Sequence, residues 1–127
     1  MKYLLILITI LLFTGCSAKI NKHEILGTWD IYAASSIPMG NKVEKNDEFQ
    51  GWSKFNSDGS FEGIIQTKVF KGQIQAGTYE INDNVLTTKL AGKQYKSIIG
   101  FNKGYLYTVT EQLNKNYKLY IYYKKRP

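Results

Sequence analysis

The stretch 55–61, Phe-Asn-Ser-Asp-Gly-Ser-Phe, decides the fold because it places an Asp-Gly pair between two short apolar runs. Asp-Gly in this position is a strong signal for a β-hairpin, since glycine adopts the positive φ that a tight turn needs. The residues on both sides alternate between apolar and polar, which is the period of a half-buried strand. The stretch therefore predicts two antiparallel strands joined at Asp58-Gly59.

The same pattern repeats on both sides of this hairpin. Further turn signals lie at 71–72, 82–84, 92–93, 102–104 and 114–116, and a short helical turn is expected at 22–25. Neither proline, Pro38 or Pro127, interrupts a candidate strand. The eight candidate strands are 26–34, 49–56, 60–70, 73–81, 85–91, 94–101, 105–111 and 117–124.

Eight strands joined mainly by tight turns form a meander, and closing a meander removes both exposed edges. We therefore predict an all-β fold, an eight-stranded antiparallel up-and-down barrel. An open sheet or a small sandwich is the alternative. At about eight strands, a barrel is either filled by its own side chains or wide enough for one small ligand.

The N-terminus has the pattern of an export signal in front of this domain. Lys2 precedes an apolar run at 3–13, and small residues follow before Cys16. The run is too short for a membrane-spanning helix, which needs about 20 apolar residues. We expect residues 1–15 to be a helical signal peptide that is removed, which lowers the formal net charge from +7 to +6.

Residues 13–16, Phe-Thr-Gly-Cys, resemble a bacterial lipobox, although Phe13 stands where that motif prefers leucine. The resemblance implies cleavage between Gly15 and Cys16 and lipidation of the Cys16 thiol, with a further acyl chain such as palmitate on the new amino terminus. Cys16 is the only cysteine, so the domain cannot form an intrachain disulfide. We expect residues 16–24 to be the lipidated linker and residues 25–127 to be the barrel.

Three motifs in the barrel segment resemble the lipocalin superfamily, and more closely the short lipocalin-like domains of bacterial lipoproteins. They are Leu-Gly-Thr-Trp at 26–29, the hairpin at 55–61 and Gly-Thr-Tyr at 77–79. The resemblance implies that Gly27 and Trp29 form the barrel entry, with the tryptophan plugging one end. It also implies a basic side chain over that ring, for which Lys124 and Arg126 are the candidates.

The residues that carry chemistry in enzymes are scattered. His23 is the only histidine and lies in the linker, and no phosphate-binding loop, serine elbow or Cys-x-x-Cys pair occurs. A metal site needs several converging ligands, which this pattern does not provide. We therefore expect neither catalysis, nor a metal, nor a cofactor. The export signal also argues against nucleic-acid binding.

A binding role is the remaining interpretation. The chain has 10 tyrosines, which combine an apolar face with a hydroxyl, and the connection at 35–48 is long for a meander. In lipocalins this connection lies across the open end. The alternative is that the tyrosines fill the core or cover the outer wall. The candidate ligand-binding residues are Ile37, Met39, Tyr79, Tyr105, Tyr107, Tyr120 and Tyr122.

Two functions are consistent with these observations. The first is a membrane-anchored lipocalin-like lipoprotein that binds a small hydrophobic or amphipathic ligand at the bacterial envelope. The second is an envelope module with a filled barrel, an inhibitor or accessory subunit that binds another protein. In a Gram-negative host, Ser17 after the lipidated cysteine favours the outer membrane, because inner-membrane retention uses aspartate there.

Overall fold

A computed structural model describes residues 19–111 and 118–127. The predicted signal peptide, Cys16 and residues 112–117 lie outside these ranges. The described residues form one short helix and eight strands: α1 Lys22–Ile25, β1 Gly27–Ser35, β2 Gln50–Phe55, β3 Ser60–Gln66, β4 Gln75–Asn82, β5 Val85–Leu90, β6 Lys93–Asn102, β7 Tyr105–Glu111 and β8 Lys118–Lys125.

The eight strands close into a single barrel in sequence order, and every neighbouring pair is antiparallel. The prediction of an all-β up-and-down meander barrel is therefore confirmed. Closure occurs between β1 and β8, where Trp29 pairs with Lys125 and Ser35 with Tyr120. A β-bulge between Ile31 and Ala33 shifts this register once.

Alternation along each strand divides the side chains between the barrel interior and its outer wall. On β7 and β8, Leu106, Ile121 and Tyr123 belong to one buried cluster inside the barrel. Their neighbours Tyr107 and Tyr122 consequently point outward. The remaining members of the buried cluster are Ile20, Ile25, Trp29, Ala34, Phe55, Tyr79, Leu86 and Ile99.

One end of the barrel, which we call the closed end, is sealed by the chain that enters it. The backbone N–H of Ile20 donates to the carbonyl of Asp83 at 3.0 Å, and Ile25 is fully buried. Trp29 is also buried, and its indole N–H donates to the carbonyl of Ile25 at 2.9 Å. Gly27 enters β1 with φ +111°, a conformation that costs glycine little. Gly27 and Trp29 therefore lie at the closed end, where the entering chain packs on the tryptophan.

The cation over the tryptophan is Lys125, whose Nζ lies 5.8 Å from the ring centroid. The prediction that Lys124 or Arg126 would occupy this position is wrong. The register explains the difference, because Lys125 is the direct cross-strand partner of Trp29. Arg126 instead forms an ion pair with Asp30.

The opposite end, which we call the loop end, carries the connections at 36–49 and 67–74. Strand β3 stops at Gln66, four residues before the predicted end. The reason is a turn, in which Thr67 N–H donates to the Phe70 carbonyl at 2.8 Å and Phe70 N–H donates to Thr67 Oγ1 at 3.0 Å. Pairing between β3 and β4 accordingly ends at Gly63 and Gln75.

Gly77, from the Gly-Thr-Tyr motif, is required by a close backbone approach. A Cβ at this position would lie 1.8 Å from the Lys89 carbonyl oxygen on β5. Any side chain would therefore separate β4 from β5 or move Leu90, which is also within 3 Å. The motif glycine lets these two strands pair beside the interior.

We predict that Gly77→Ala lowers the free energy of unfolding by about 1–3 kcal/mol, as overpacking a well-packed site does. Chemical denaturation monitored by circular dichroism measures this loss. Gly40→Ala is the matched control, because a Cβ there meets nothing within 4 Å, and it should change stability by less than about 0.5 kcal/mol. Equal stability of the two variants would contradict the packing described for β4 and β5.

Candidate functional site

The barrel interior is filled at the closed end. Phe55 packs against Phe61 and Tyr79, with ring centroids 5.2 and 5.0 Å apart, and Trp29 lies 6.1 Å from Phe101. Aromatic rings at these distances leave little room between them. A ligand inside the barrel would therefore have to lie towards the loop end.

A cleft of about 400 Å³ lies towards the loop end, where β3 and β4 cease to pair. We call it the β3–β4 cleft. Its volume falls within the usual range for small-molecule sites, roughly 300–1,000 Å³. It is lined by Ser53, Phe61, Gly63, Ile64, Ile65, Phe70, Lys71, Gly72, Gln73, Gln75 and Leu90.

Small residues on neighbouring strands leave this space open. Gly63 faces inward beside Ser53, its cross-strand partner, and neither provides bulk. A Cβ at Gly63 would lie 2.8 Å from the Trp52 carbonyl oxygen, so the position does not accept a larger residue without movement. Phe61 and Leu90 supply apolar walls on either side. The cleft is therefore apolar at its base and accessible at the loop end.

A buried polar network adjoins the cleft. The Tyr123 hydroxyl is buried beside the hydroxyls of Thr108 and Ser53, and Ser53 also lines the cleft. Burial raises the pKa of the Tyr123 hydroxyl above its usual range, and the two neighbouring hydroxyls oppose part of that rise. The network places three hydroxyl groups inside the barrel and offers a polar surface at the cleft wall.

The charge around the cleft has one sign. Lys71 is the only charged residue among those lining it, and Gln73 and Gln75 add two amides. The lining therefore combines apolar walls with one cation and several hydrogen-bonding groups. Such a surface suits an amphipathic molecule whose polar group is neutral or anionic.

A second cleft, of about 650 Å³, lies beneath the connection between β1 and β2. Ile37 and Met39, both predicted to bind ligand, line it together with Phe49 and Leu119. Ile37 is nevertheless 71% exposed. Lys42, Glu44 and Glu48 also face this space, so its lining is more polar and of mixed charge.

The β1–β2 connection is fastened to the barrel wall. The Met39 N–H donates to the Tyr122 hydroxyl at 2.7 Å, and Asn102 donates its side-chain amide to the Met39 carbonyl at 3.0 Å. Asn46 holds the returning chain by bonding both the N–H and the carbonyl of Ala34. Tyr122 points outward, so residues 39–40 follow the outside of the barrel rather than the path across its end that the resemblance implied.

Four predicted ligand-binding tyrosines lie on this outer wall: Tyr105, Tyr107, Tyr120 and Tyr122. Alternation fixes this, because Leu106 and Ile121 between them are interior. Tyr107 packs 5.9 Å from Tyr122, and its ring lies across the position of a Cβ at Gly100. Their placement matches the alternative in which the tyrosines cover the outer wall, and their role toward a ligand stays a prediction.

Tyr79 is inside the barrel but at its filled end. Its hydroxyl donates to the Asn56 carbonyl at 2.7 Å, and Lys22 lies 5.5 Å from its ring centroid. Burial raises the pKa of this hydroxyl, with a smaller contribution from the nearby charge of Asp58. Tyr79 therefore contributes to the core, and its role toward a ligand stays a prediction.

The remaining sequence-based sites fall elsewhere. Gly15 and Cys16, the predicted cleavage and lipidation sites, lie outside the described residues. Within 19–111 and 118–127, no three His, Cys, Asp or Glu residues are grouped as metal ligands would be. Across the same ranges, no helix combines the length and apolar character needed to cross a bilayer.

Comparison with known proteins adds no family to this description: no protein-family model matches the chain, and no curated protein matches it. The resemblance to lipocalins rests on the three motifs and on the barrel itself.

The lining of the β3–β4 cleft was not among the predicted site residues. Ser53, Gly63 and Leu90 are ordinary strand residues, and which face of the barrel each occupies depends on register. One signal was available in the sequence. Residues 69–74, Val-Phe-Lys-Gly-Gln-Ile, place large apolar residues beside a turn signal, and an unusually apolar turn indicates a binding surface.

We predict that Tyr123→Phe lowers stability at neutral pH by about 1 kcal/mol, because the buried hydroxyls of Ser53 and Thr108 lose the polar group beside them. It should also reduce the loss of stability at high pH. The raised pKa of Tyr123 lets the folded chain keep a proton that the unfolded chain releases above about pH 10. The contribution of Tyr123 to the free energy of unfolding is therefore complete below that pH and declines as the pH rises above it.

Denaturation midpoints between pH 7 and pH 11 measure both effects. Tyr95→Phe, which removes a hydroxyl from an exposed side chain, is the control and should follow the wild-type profile. A Tyr123→Phe variant with unchanged stability and unchanged alkaline slope would contradict the buried network.

Proposed function

We propose that this protein is a lipid-anchored, lipocalin-like binding protein of the bacterial envelope, and that its ligand is a small amphipathic molecule held in the β3–β4 cleft. The cleft is the observation that carries the proposal. It combines a volume of about 400 Å³ with apolar walls from Phe61 and Leu90 and a cation at its rim, Lys71.

The distribution of interior residues supports a ligand at this end. The closed end is filled by Trp29 and its aromatic neighbours, whereas Ser53 and Gly63 leave space towards the loop end. A ligand's apolar part would pack on Phe61 and Leu90. Its polar part would remain near Lys71. The polar group would therefore not be buried without a hydrogen-bonding or charged partner.

Support for the lipid anchor comes from the sequence around Cys16. The chain joins the barrel at Ile20, which is hydrogen-bonded to Asp83 at the closed end. Three peptide units separate Cys16 from Lys19, and three extended residues span at most about 11 Å. A lipidated Cys16 would therefore hold the closed end close to a bilayer.

We predict that Leu90→Trp weakens binding of a dansylated medium-chain fatty acid at least tenfold, because the larger side chain occupies the cleft. Fluorescence titration of the purified protein measures the affinity. Ile98→Trp, on the outer wall, is the matched control and should bind as wild type does. Thermal unfolding of each variant establishes that the barrel is intact.

Two outcomes would contradict this assignment. Loss of binding in Leu119→Trp but not in Leu90→Trp would move the site to the cleft beneath the β1–β2 connection. Absence of binding in the wild type, together with recovery of one stoichiometric protein partner from solubilised membranes, would favour the alternative function of a protein-binding module.

We predict that Cys16→Ser abolishes incorporation of an alkyne-labelled palmitate and releases the protein from membranes washed at high salt. Two or three acyl chains hold a protein firmly, whereas none leaves only weak surface contacts. Ser17→Ala is the control and should keep both the label and the membrane fraction. Continued labelling of Cys16→Ser would show that the lipid is elsewhere.

A further inference from the structure

The β3–β4 loop, residues 67–74, exposes large apolar side chains. Val69 is 98% exposed, Phe70 65% and Ile74 62%. A single exposed apolar residue is ordinary on a protein surface, but three in one eight-residue loop form a patch that indicates an interaction. Phe70 also lines the β3–β4 cleft, so the patch begins at the cleft rim.

The conformation of the loop holds these residues outward. The two hydrogen bonds between Thr67 and Phe70 close a turn with Val69 at its tip. Gly72 lets the returning chain fold back on β3, since a Cβ there would lie 2.2 Å from the Ile65 carbonyl oxygen. The backbone therefore fixes the exposure of Val69.

Positive charge surrounds the apolar tip. Lys68 and Lys71 flank Val69 and Phe70, and the sequence contains no acidic residue from 63 to 79 or from 84 to 110. The neighbouring hairpin of β5 and β6 adds three further lysines: Lys89, Lys93 and Lys96.

Asp47 opposes this charge at one point. Its carboxylate lies 3.1 Å from Lys68 Nζ, and the hydrogen bond and charge of that lysine hold the pKa of Asp47 below its usual range. Both side chains are largely exposed, so the pair is a weak one that another anion can replace. The loop therefore presents an apolar tip within a cationic surface.

We infer that the β3–β4 loop is a contact site for an anionic lipid bilayer. Val69 and Phe70 enter the boundary between headgroups and acyl chains, while Lys68 and Lys71 lie at the level of the phosphates. This combination of apolar insertion and basic flanks is how peripheral proteins bind anionic membranes. The contact goes beyond the proposed function and does not need the lipid on Cys16.

The position of the loop relates this contact to the rest of the barrel. Strand β4 runs from the loop to Asp83, beside which Ile20 is held, and eight residues span about 25 Å. A barrel lying with β4 along the membrane would bring the entering chain and the loop to the same bilayer. The β3–β4 cleft would then open near the lipid surface.

The barrel, its plug and its core lie within the described residues, so the test uses the chain from Ser17 onward, without any lipid. Binding to phosphatidylglycerol–phosphatidylcholine vesicles is measured by co-sedimentation at low and high salt. Val69→Ser should weaken binding about tenfold. Lys68→Gln should weaken it about fivefold at low salt and less at high salt, because surface charges are screened.

Asp47→Asn provides a prediction of the opposite sign. It releases Lys68 from its carboxylate partner and removes a negative charge, so vesicle binding should strengthen by a few-fold. Ile98→Ser, which removes an exposed apolar residue from the outer wall, is the control and should bind as wild type does. Val69, Lys68 and Asp47 do not line the β3–β4 cleft, so fatty-acid binding in solution should persist in all three variants.

Three results would overturn the inference: wild-type protein that does not sediment with anionic vesicles, Val69→Ser that sediments as well as wild type, or binding equally strong to pure phosphatidylcholine. Sedimentation velocity without vesicles distinguishes a further case. If Val69→Ser dissociates a dimer of the wild type and leaves vesicle binding unchanged, then the loop contacts a second copy of the chain instead of lipid.

Discussion

The contact of Trp29 with the chain that enters the barrel sets the arrangement of the rest. Its indole N–H bonds the Ile25 carbonyl, its ring is covered by Lys125, and Ile25 is buried beneath it. Burying a tryptophan here without its hydrogen bond would cost free energy, so the entering segment and β1 are positioned together. This interaction seals the closed end and fixes which face of β1 is interior.

Once that end is sealed by aromatic residues, the space inside the barrel is distributed unevenly along its axis. Bulky side chains at the closed end give way to Ser53 and Gly63, and pairing of β3 with β4 ends at the same level. A glycine in a strand weakens it and often marks close backbone approach. Here the point at which β3 and β4 stop pairing is also the entrance to the cleft. The interrupted pairing therefore makes the barrel interior accessible.

Much of the fold could be predicted because its signals are local. Asp-Gly at 58–59 and the turn residues at 83–84 and 103–104 each lie between two strands of the barrel. The faces of β8 could not be predicted, because aromatic or aliphatic side chains occupy consecutive positions around Tyr120, Tyr122 and Tyr123. No charged residue among them marks the face that points outward. Only pairing with β7 and β1 assigns Tyr123 to the interior and the other two to the wall.

The candidate site was harder to predict than the fold for the same reason. Its residues come from four strands, β2, β3, β4 and β5, and from one loop. They are scattered along the sequence and do not together form a recognisable motif. The path of the β1–β2 connection depends on the side-chain hydrogen bonds of two asparagines, Asn46 and Asn102, which the sequence does not reveal. These contacts join residues that are far apart in the sequence, so they depend on the strand pairing of the whole closed barrel.

The barrel is filled at its closed end, and the proposed ligand, a small amphipathic molecule, would bind at the β3–β4 cleft. A crystal structure of the protein grown with a bromine-labelled fatty acid tests this most directly, because anomalous scattering locates the bromine. We expect a bromine peak beside Phe61 and Leu90. Peaks confined to the tyrosines of the outer wall, or side chains filling the cleft with no bromine bound, would contradict it.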